Sequence, residues 1–323
     1  MPVFTNAEMA NMHFLYGLAN ANALEAGLHG VHRFGYSNFE QRKWRQQHSS
    51  CGGNMQSPIR IDTFRAIPLR MPAVEMVRYH DYLPGPLELR NNGHSVSLSI
   101  PKLQKDDPYA KYIPYVFGGR LHSEYELEGL HFHWGDTNSY GSEHILNDVR
   151  YPIEMHIVHR NRKYESVTEA LTHADGLTVL GIFFQIKEKE NKNLSPIIRN
   201  LWHVHDVNSV TLLNETFTLA SLLPPVEEME RFYTYKGSLT TPPCSEAVTW
   251  ILFPDPLAIS VYQMNKFRHL ASDSNDTPLL NNYRHLQSIG SRRVFVRKLK
   301  PRDTPRNNDT IFYDKWDWLM KNN

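Results

Sequence analysis

The sequence predicts a β-dominated α+β fold, one large sheet with few helices, and three observations carry that reading. Apolar and polar residues alternate with period two through PLELRNNGHSVSLSIP (residues 86–101), YELEGLHFHW (125–134) and YPIEMHIVHR (151–160). That is the pattern of strands with two unlike faces. LTVLGIFFQI (177–186) is almost continuously apolar, as a strand buried on both faces must be. Helical periodicity is confined to short stretches, and neither linker nor internal repeat interrupts residues 29–300, so the strands belong to one domain.

Residues 1–28 are rich in Asn and Ala and carry no motif; they read as an N-terminal extension, partly helical through ALEAGL. The domain, residues 29–300, opens at HRFGYSNFEQRKW, a Gly–Tyr turn followed by a short polar segment with Trp44. CGGNMQSPIRID is a short strand between Gly and Pro breakers. Within 86–101 the Asn-Asn-Gly turn separates two strands. VTEALTH reads as a helical piece, and SPIIRNLWHVHD as an amphipathic helix. FYTYKGSLTTPPCSEAVTWILFPDP is strand, turn, double proline and strand. Pro242 keeps Thr241 extended, so this loop is held in one shape. QMNKFRHLAS reads as a surface helix and RRVFVRKL as a closing strand. From Pro301 the composition turns polar, and 301–323 reads as a tail.

Composition excludes several classes of function. Of 323 residues, 41% are hydrophobic and 21% charged, an ordinary globular balance. Lys and Arg number 35 against 34 Asp and Glu, a formal net charge of +1, so neither nucleic acid nor an anionic membrane is the expected partner. No apolar run is long enough for a transmembrane segment.

The chemistry concentrates in residues 130–159. His131 and His133 stand two apart in LHFHW, so both imidazoles leave one face of a strand, about 7 Å apart, with Phe132 on the other. In IEMHIVH, Glu154, His156 and Val158 share a face by the same rule. If the strands are neighbours, His156 converges on the first pair. A lone histidine among 17 is ordinarily a structural residue, whereas three on facing strands make a metal site. Three neutral imidazoles with a fourth position open suit a catalytic zinc; structural sites are closed by four ligands. No HExxH string occurs, which argues against a zinc protease.

Cys51 and Cys244 admit two readings, a pair of unrelated buried thiols or one disulfide. A bridge would stabilise the chain by about 5 kcal/mol on chain entropy alone. Sequons at Asn193, Asn214, Asn275 and Asn308 lean with it towards secretion. The N-terminus, acidic and polar where a signal peptide is basic and then apolar, leans towards the cytoplasm.

Nine blocks resemble the α-class carbonic anhydrases: HRFGYS, GGNMQSPI, LRNNGHSV, GLHFHWG, YGSEH, EMHIVH, LTVLGIFF, GSLTTPPC and VTWILF. They follow the family's order from roughly Val31 to Lys300, closest to its animal secreted or membrane-type branch. The resemblance implies a twisted, mostly antiparallel sheet of about ten strands with short peripheral helices. It implies a monomer that hydrates CO2 reversibly to bicarbonate and a proton by a zinc-bound hydroxide. Carried over residue by residue, His131, His133 and His156 are the Zn2+ ligands. Thr240 resembles a gatekeeper hydroxyl that donates to Glu143, since an ionised carboxylate only accepts. Thr241 borders the bicarbonate position, and Val158, Val179, Leu239 and Trp250 wall an apolar CO2 pocket. His94 matches the proton shuttle, a task suited to an unperturbed pKa of about 6.5. Tyr36 and Asn92 match the residues that order the intervening water, and Glu154 the residue that orients His156. Gly129 departs from the pattern. The family commonly has a Gln there that orients the first ligand; either water or a backbone carbonyl substitutes, or zinc affinity or turnover falls by about tenfold or more. His122 is unassigned; His144 and His159 are expected to serve structure.

Overall fold

A computed structural model describes residues 34–100, 107, 110–273 and 277–298. The expected extension at 1–28 and tail at 301–323 lie outside the described residues. Fourteen strands follow one another among them: β1 (Arg60–Ile61), β2 (Ile67–Leu69), β3 (Val74–Val77), β4 (Glu88–Asn91), β5 (Val96–Ser99), β6 (Tyr115–Gly118), β7 (Tyr125–Trp134), β8 (Ile145–Leu146), β9 (Ile153–Asn161), β10 (Leu177–Ile186), β11 (Val210–Leu212), β12 (Tyr233–Gly237), β13 (Val248–Ile259) and β14 (Phe295–Arg297). Among the described residues two helices exceed one turn, α1 (Asn38–Gln47) and α2 (Val261–Arg268).

Twelve of the strands form one sheet in the order β11-β4-β5-β7-β9-β10-β13-β12-β14-β2, with β6 also on β7 and β3 on β6. β10 runs parallel to β13 and β14 to β2; the other neighbours in this sheet are antiparallel. The expected mostly antiparallel sheet is therefore borne out, with twelve strands where about ten were expected and two parallel pairings among the antiparallel ones. β1 and β8 make a separate parallel pair.

Strand alternation sorts the core between two faces. Phe132, Trp134, Met155, Ile157, Leu180 and Ile182 join the larger apolar cluster. Val158, Val179, Tyr235, Leu239 and Trp250 join a smaller one on the opposite face. β10 feeds both clusters, as its continuous apolar run predicts. Burying an apolar side chain of this size contributes roughly 1.5–3 kcal/mol, so both faces add to stability. Cys51 and Cys244 are bridged, with Cα atoms 4.8 Å apart, which removes the reading of two unrelated thiols. Phe34 and Trp44 pack around the bridge.

Local readings differ from the structure in four places. The polar stretch after Tyr36 is helix α1, started by a capping box between Ser37 and Glu40. Only Trp44 of that helix is buried, so it carries no apolar stripe. SPIIRNLWHVHD is not one helix but two single turns, Ser195–Ile198 and Leu201–Val204. α2 begins at Val261, capped by Ser260, and buries Gln263, Met264 and Phe267, so it is half core rather than surface. The closing strand is three residues long.

Candidate metal centre

Register places the histidines. In the β7–β9 ladder His131 lies opposite His156 and His133 opposite Glu154. All three imidazoles are buried, and one ring nitrogen of each lies within 4.8 Å of the others. His156 Nδ1 and His131 Nε2 are 3.2 Å apart. Strand period two thus brings together the three residues that the sequence singles out.

The tautomers are set from behind. Glu154 Oε1 accepts from His156 Nε2 and from His144 Nδ1, both at 2.7 Å, and its Oε2 accepts from the His144 backbone N–H at 2.8 Å. With Nε2 protonated, His156 presents the lone pair of Nδ1 to the centre. His133 Nδ1 donates to the Asn282 carbonyl at 2.7 Å, which leaves Nε2 as its lone-pair atom. The chain behind His156 continues from His144 Nε2 to the Tyr235 hydroxyl at 2.7 Å and on to Ser57 Oγ at 2.8 Å. Burial would raise the Glu154 carboxyl, but His144 and His156 overturn that and hold it well below the usual carboxylate range. Burial, with the neighbouring rings, pushes His131 well below its ordinary value, and burial lowers His133. Buried imidazoles that resist protonation keep their lone pairs available.

Glu143 completes the centre. Its Oε1 accepts the Arg284 backbone N–H at 2.8 Å, while Oε2 lies 3.5 Å from His133 Nε2 and 4.0 Å from His156 Nδ1. That oxygen is buried and makes no hydrogen bond among the described residues. The expected Thr240-to-Glu143 bond is therefore not formed here; the carboxylate faces the imidazoles instead. A carboxylate oxygen and two lone-pair nitrogens converging in a buried space repel one another unless a cation lies among them. The donor set, three imidazoles with no thiolate, suits zinc with a position left open.

Of the remaining predicted residues, Trp250 packs its ring 4.8 Å from that of His156 and 4.7 Å from that of His144, and its Nε1 donates to the Ser238 carbonyl. Val179 pairs with Val158 on one side and Trp250 on the other. Leu239, Thr240 and Thr241 are buried in the loop after β12. The buried Tyr36 hydroxyl has no hydrogen-bond partner among the described residues, and burial together with the Glu143 charge raises it well above the ordinary phenol. Asn92 spends its side-chain oxygen on the backbone N–H groups of His94 and Ser95, so it shapes the turn that carries His94. At Gly129, β7 bulges between Leu127 and Gly129, and a Cβ there would lie 2.8 Å from the Leu98 carbonyl. The glycine accommodates a close backbone approach.

Sequence reasoning missed Asn282, Arg284 and Gly181. Asn282 Oδ1 accepts the Trp134 N–H, and its Nδ2 donates to the carbonyls of His94 and Phe132, so one side chain ties β7 to the His94 turn. The Arg284 guanidinium donates to Gln56 Oε1 and to the Ser57 and Cys51 carbonyls, stitching the disulfide segment to the site. Both residues lie in a stretch without periodicity, so no local signal marks them. Gly181 stands opposite His156; a Cβ there would lie 2.3 Å from Leu252 Cδ2 and 3.3 Å from Glu154 Oε1. Its place inside the apolar run of β10 was the available clue.

Comparison with known proteins agrees with this geometry. Residues 39–298 match the model of the eukaryotic-type carbonic anhydrase family. Carbonic anhydrase 15 of Mus musculus is 35% identical over 259 residues, 78% of this chain and 78% of its own. Carbonic anhydrase 7 of Homo sapiens is 34% identical over 270 residues, 82% of this chain and 97% of its own. Putative carbonic anhydrase 3 of Caenorhabditis elegans is 35% identical over 243 residues, 75% of this chain and 89% of its own.

Proposed function

The chain belongs to the eukaryotic-type carbonic anhydrase family and is a lyase that hydrates CO2, and from that premise we propose that His131, His133 and His156 hold its zinc ion. Bound there, zinc supplies the Lewis acidity that makes water a nucleophile at neutral pH, a property for which this family is the standard example. The chain's own residues do the rest. Asn282 and Glu154 fix the tautomers of His133 and His156. Val158, Val179, Leu239 and Trp250 offer the uncharged substrate an apolar wall and exclude water from it. Arg284 pins Glu143 Oε1, and with zinc held there Glu143 Oε2, unengaged among the described residues, would turn to accept the Thr240 hydroxyl, a bond not formed in this structure, while Thr241 borders the product.

His94 takes the proton outward, with Tyr36 and Asn92 holding the water between. Residues 29–300 form the catalytic domain, which acts as a monomer on its small-molecule substrate. The Cys51–Cys244 bridge supports an extracellular placement, since disulfides persist in oxidising compartments. Among the described residues no helix is long and apolar enough to cross a membrane.

The single observation that carries this reading is the convergence of three buried imidazole nitrogens within 4.8 Å. Metal analysis of purified protein is expected to give one zinc per chain, lost in His156→Ala together with CO2 hydration. Metal-free wild-type protein that still hydrates CO2 would overturn the assignment.

A further inference from the structure

Two cavities share Arg292 and Arg293, the residues that lead into β14. In the larger, about 510 Å³, the other cations have acids: Arg65 meets Asp62 at 3.3 Å and Arg60 meets Asp148 at 2.7 Å. The smaller, about 180 Å³, is lined by Arg120, His122, Lys236, Arg292 and Arg293 and by no carboxylate. Its cations are held on neutral groups. The Arg120 guanidinium lies over the Phe295 ring, 4.0 Å from its centroid, and that of Arg292 over Tyr235 at 5.6 Å. Arg292 donates to the carbonyls of Gln56, Lys236, Ser288 and Ile289. Lys236 Nζ donates to Thr249 Oγ1 at 2.7 Å and to the Ala174 carbonyl at 3.3 Å. The acids that act on these cations are engaged elsewhere. Asp175, which acts on Lys236, accepts the Tyr164 hydroxyl at 2.6 Å. Glu246, which acts on Arg292, accepts the Met55 N–H at 2.6 Å and Gln56 Nε2 at 2.9 Å.

We propose that this smaller cavity binds a phosphate-class oxyanion, at a site distinct from the zinc centre, whose imidazoles do not line it. Positive groups gathered without an acid repel one another, and a dianion among them turns that repulsion into attraction. The donor types fit such a guest. A guanidinium fork matches two oxygens of a phosphate at once, and an ammonium adds a compact point charge. Arg120 comes from the connection between β6 and β7, Lys236 from β12 and Arg293 from the start of β14, so the fold brings the cations together from three distant segments. Size sets the limit. The cavity is smaller than the roughly 300–1,000 Å³ that drug-sized ligands occupy, which suits a free oxyanion or the phosphoryl end of a monoester. The chain's formal net charge of +1 conceals this local excess.

The test titrates inorganic phosphate into zinc-loaded full-length protein at low ionic strength, followed by calorimetry, with CO2 hydration measured in parallel. Saturation at one phosphate per chain is expected. Affinity should fall about tenfold in Arg120→Gln and in Lys236→Gln, the loss of one charge-assisted contact in each. Both side chains are exposed, so neither change disturbs the core. Hydration should be equal in wild type and both variants. Methyl phosphate forms a second arm: its displacement of phosphate would assign the site to phosphomonoesters, and failure to displace would assign it to the free ion. A titration that never saturates would overturn the site, as would saturation that neither variant weakens. Phosphate that inhibits hydration equally in all three proteins as it binds would place the ion on the zinc and overturn the site as well.

Discussion

His156 and His94 stand at opposite ends of one site and are held by unlike means. His156 is fastened by a buried chain through Glu154, His144, Tyr235 and Ser57, every link at 2.7 or 2.8 Å. His94 has an anchored backbone, but its ring meets Asp273 at 3.7 Å and rests on the face of Phe34. The difference suits the two tasks proposed for them, metal ligand and proton carrier. A metal ligand has to keep one tautomer and one direction, which short bonds to a buried carboxylate impose. A proton carrier has to change charge and partner at each turnover, which rigid bonding would prevent.

The largest expected effect comes from cutting the inner chain. Glu154→Gln replaces an acceptor of three hydrogen bonds with a group that must also donate. Zinc affinity should fall roughly ten- to hundredfold in a chelator competition, the usual cost of losing such a partner. Affinity equal to wild type would show that the inner end is not locked.

A second test uses the burial of the same strand. His159 hydrogen-bonds Tyr79 within the fold, and burial pushes it down to about 3. Above pH 6.5 the ring is neutral in folded and unfolded chains and adds no pH dependence. Below 6.5 the unfolded chain binds a proton that the folded chain refuses, so stability declines towards pH 3. At about 1.4 kcal/mol per unit, the loss from this group is about 2 kcal/mol by pH 5. Urea unfolding at pH 7 and pH 5 should show that difference shrink by this amount in His159→Gln. An undiminished difference would place the acid sensitivity elsewhere.

The outer end gives a smaller effect. His94→Ala should reduce kcat roughly tenfold in weak buffer, less than a lost general acid–base group because buffer substitutes. Zinc affinity should stay unchanged, since Asn282 ties the two ends through the His94 backbone carbonyl, which alanine keeps. A loss of zinc in this variant would join what the comparison separates.

The smallest concerns Gly129. Gly129→Ala should cost about 1 kcal/mol in a thermal melt, because its Cβ meets the Leu98 carbonyl, a backbone atom that yields poorly. An unchanged melting temperature would show that the bulge relaxes.

Much of this contrast is legible in the sequence where geometry is periodic. LHFHW and IEMHIVH place three imidazoles and Glu154 because a strand leaves little freedom about which side chains share a face. The apolar run of β10 identifies a central strand for the same reason. Helix α1 was legible through its Ser37–Glu40 capping box but was obscured by a composition with one buried residue. Asn282 and Arg284 were not legible, since their partners stand 141 to 233 residues away in sequence and coil carries no period. His144 was expected to serve structure, and its structural work proves to be the orientation of Glu154. Gly129 read as a missing orienter, while its packing against Leu98 could come only from the neighbouring strand.

The most direct measurement is CO2 hydration in strong buffer by chelator-stripped protein titrated with zinc. The rate should rise linearly and break at one zinc per chain, with no rise in His156→Ala. Hydration that is already complete without zinc, or a rise that persists in His156→Ala, would contradict a centre built on these three histidines.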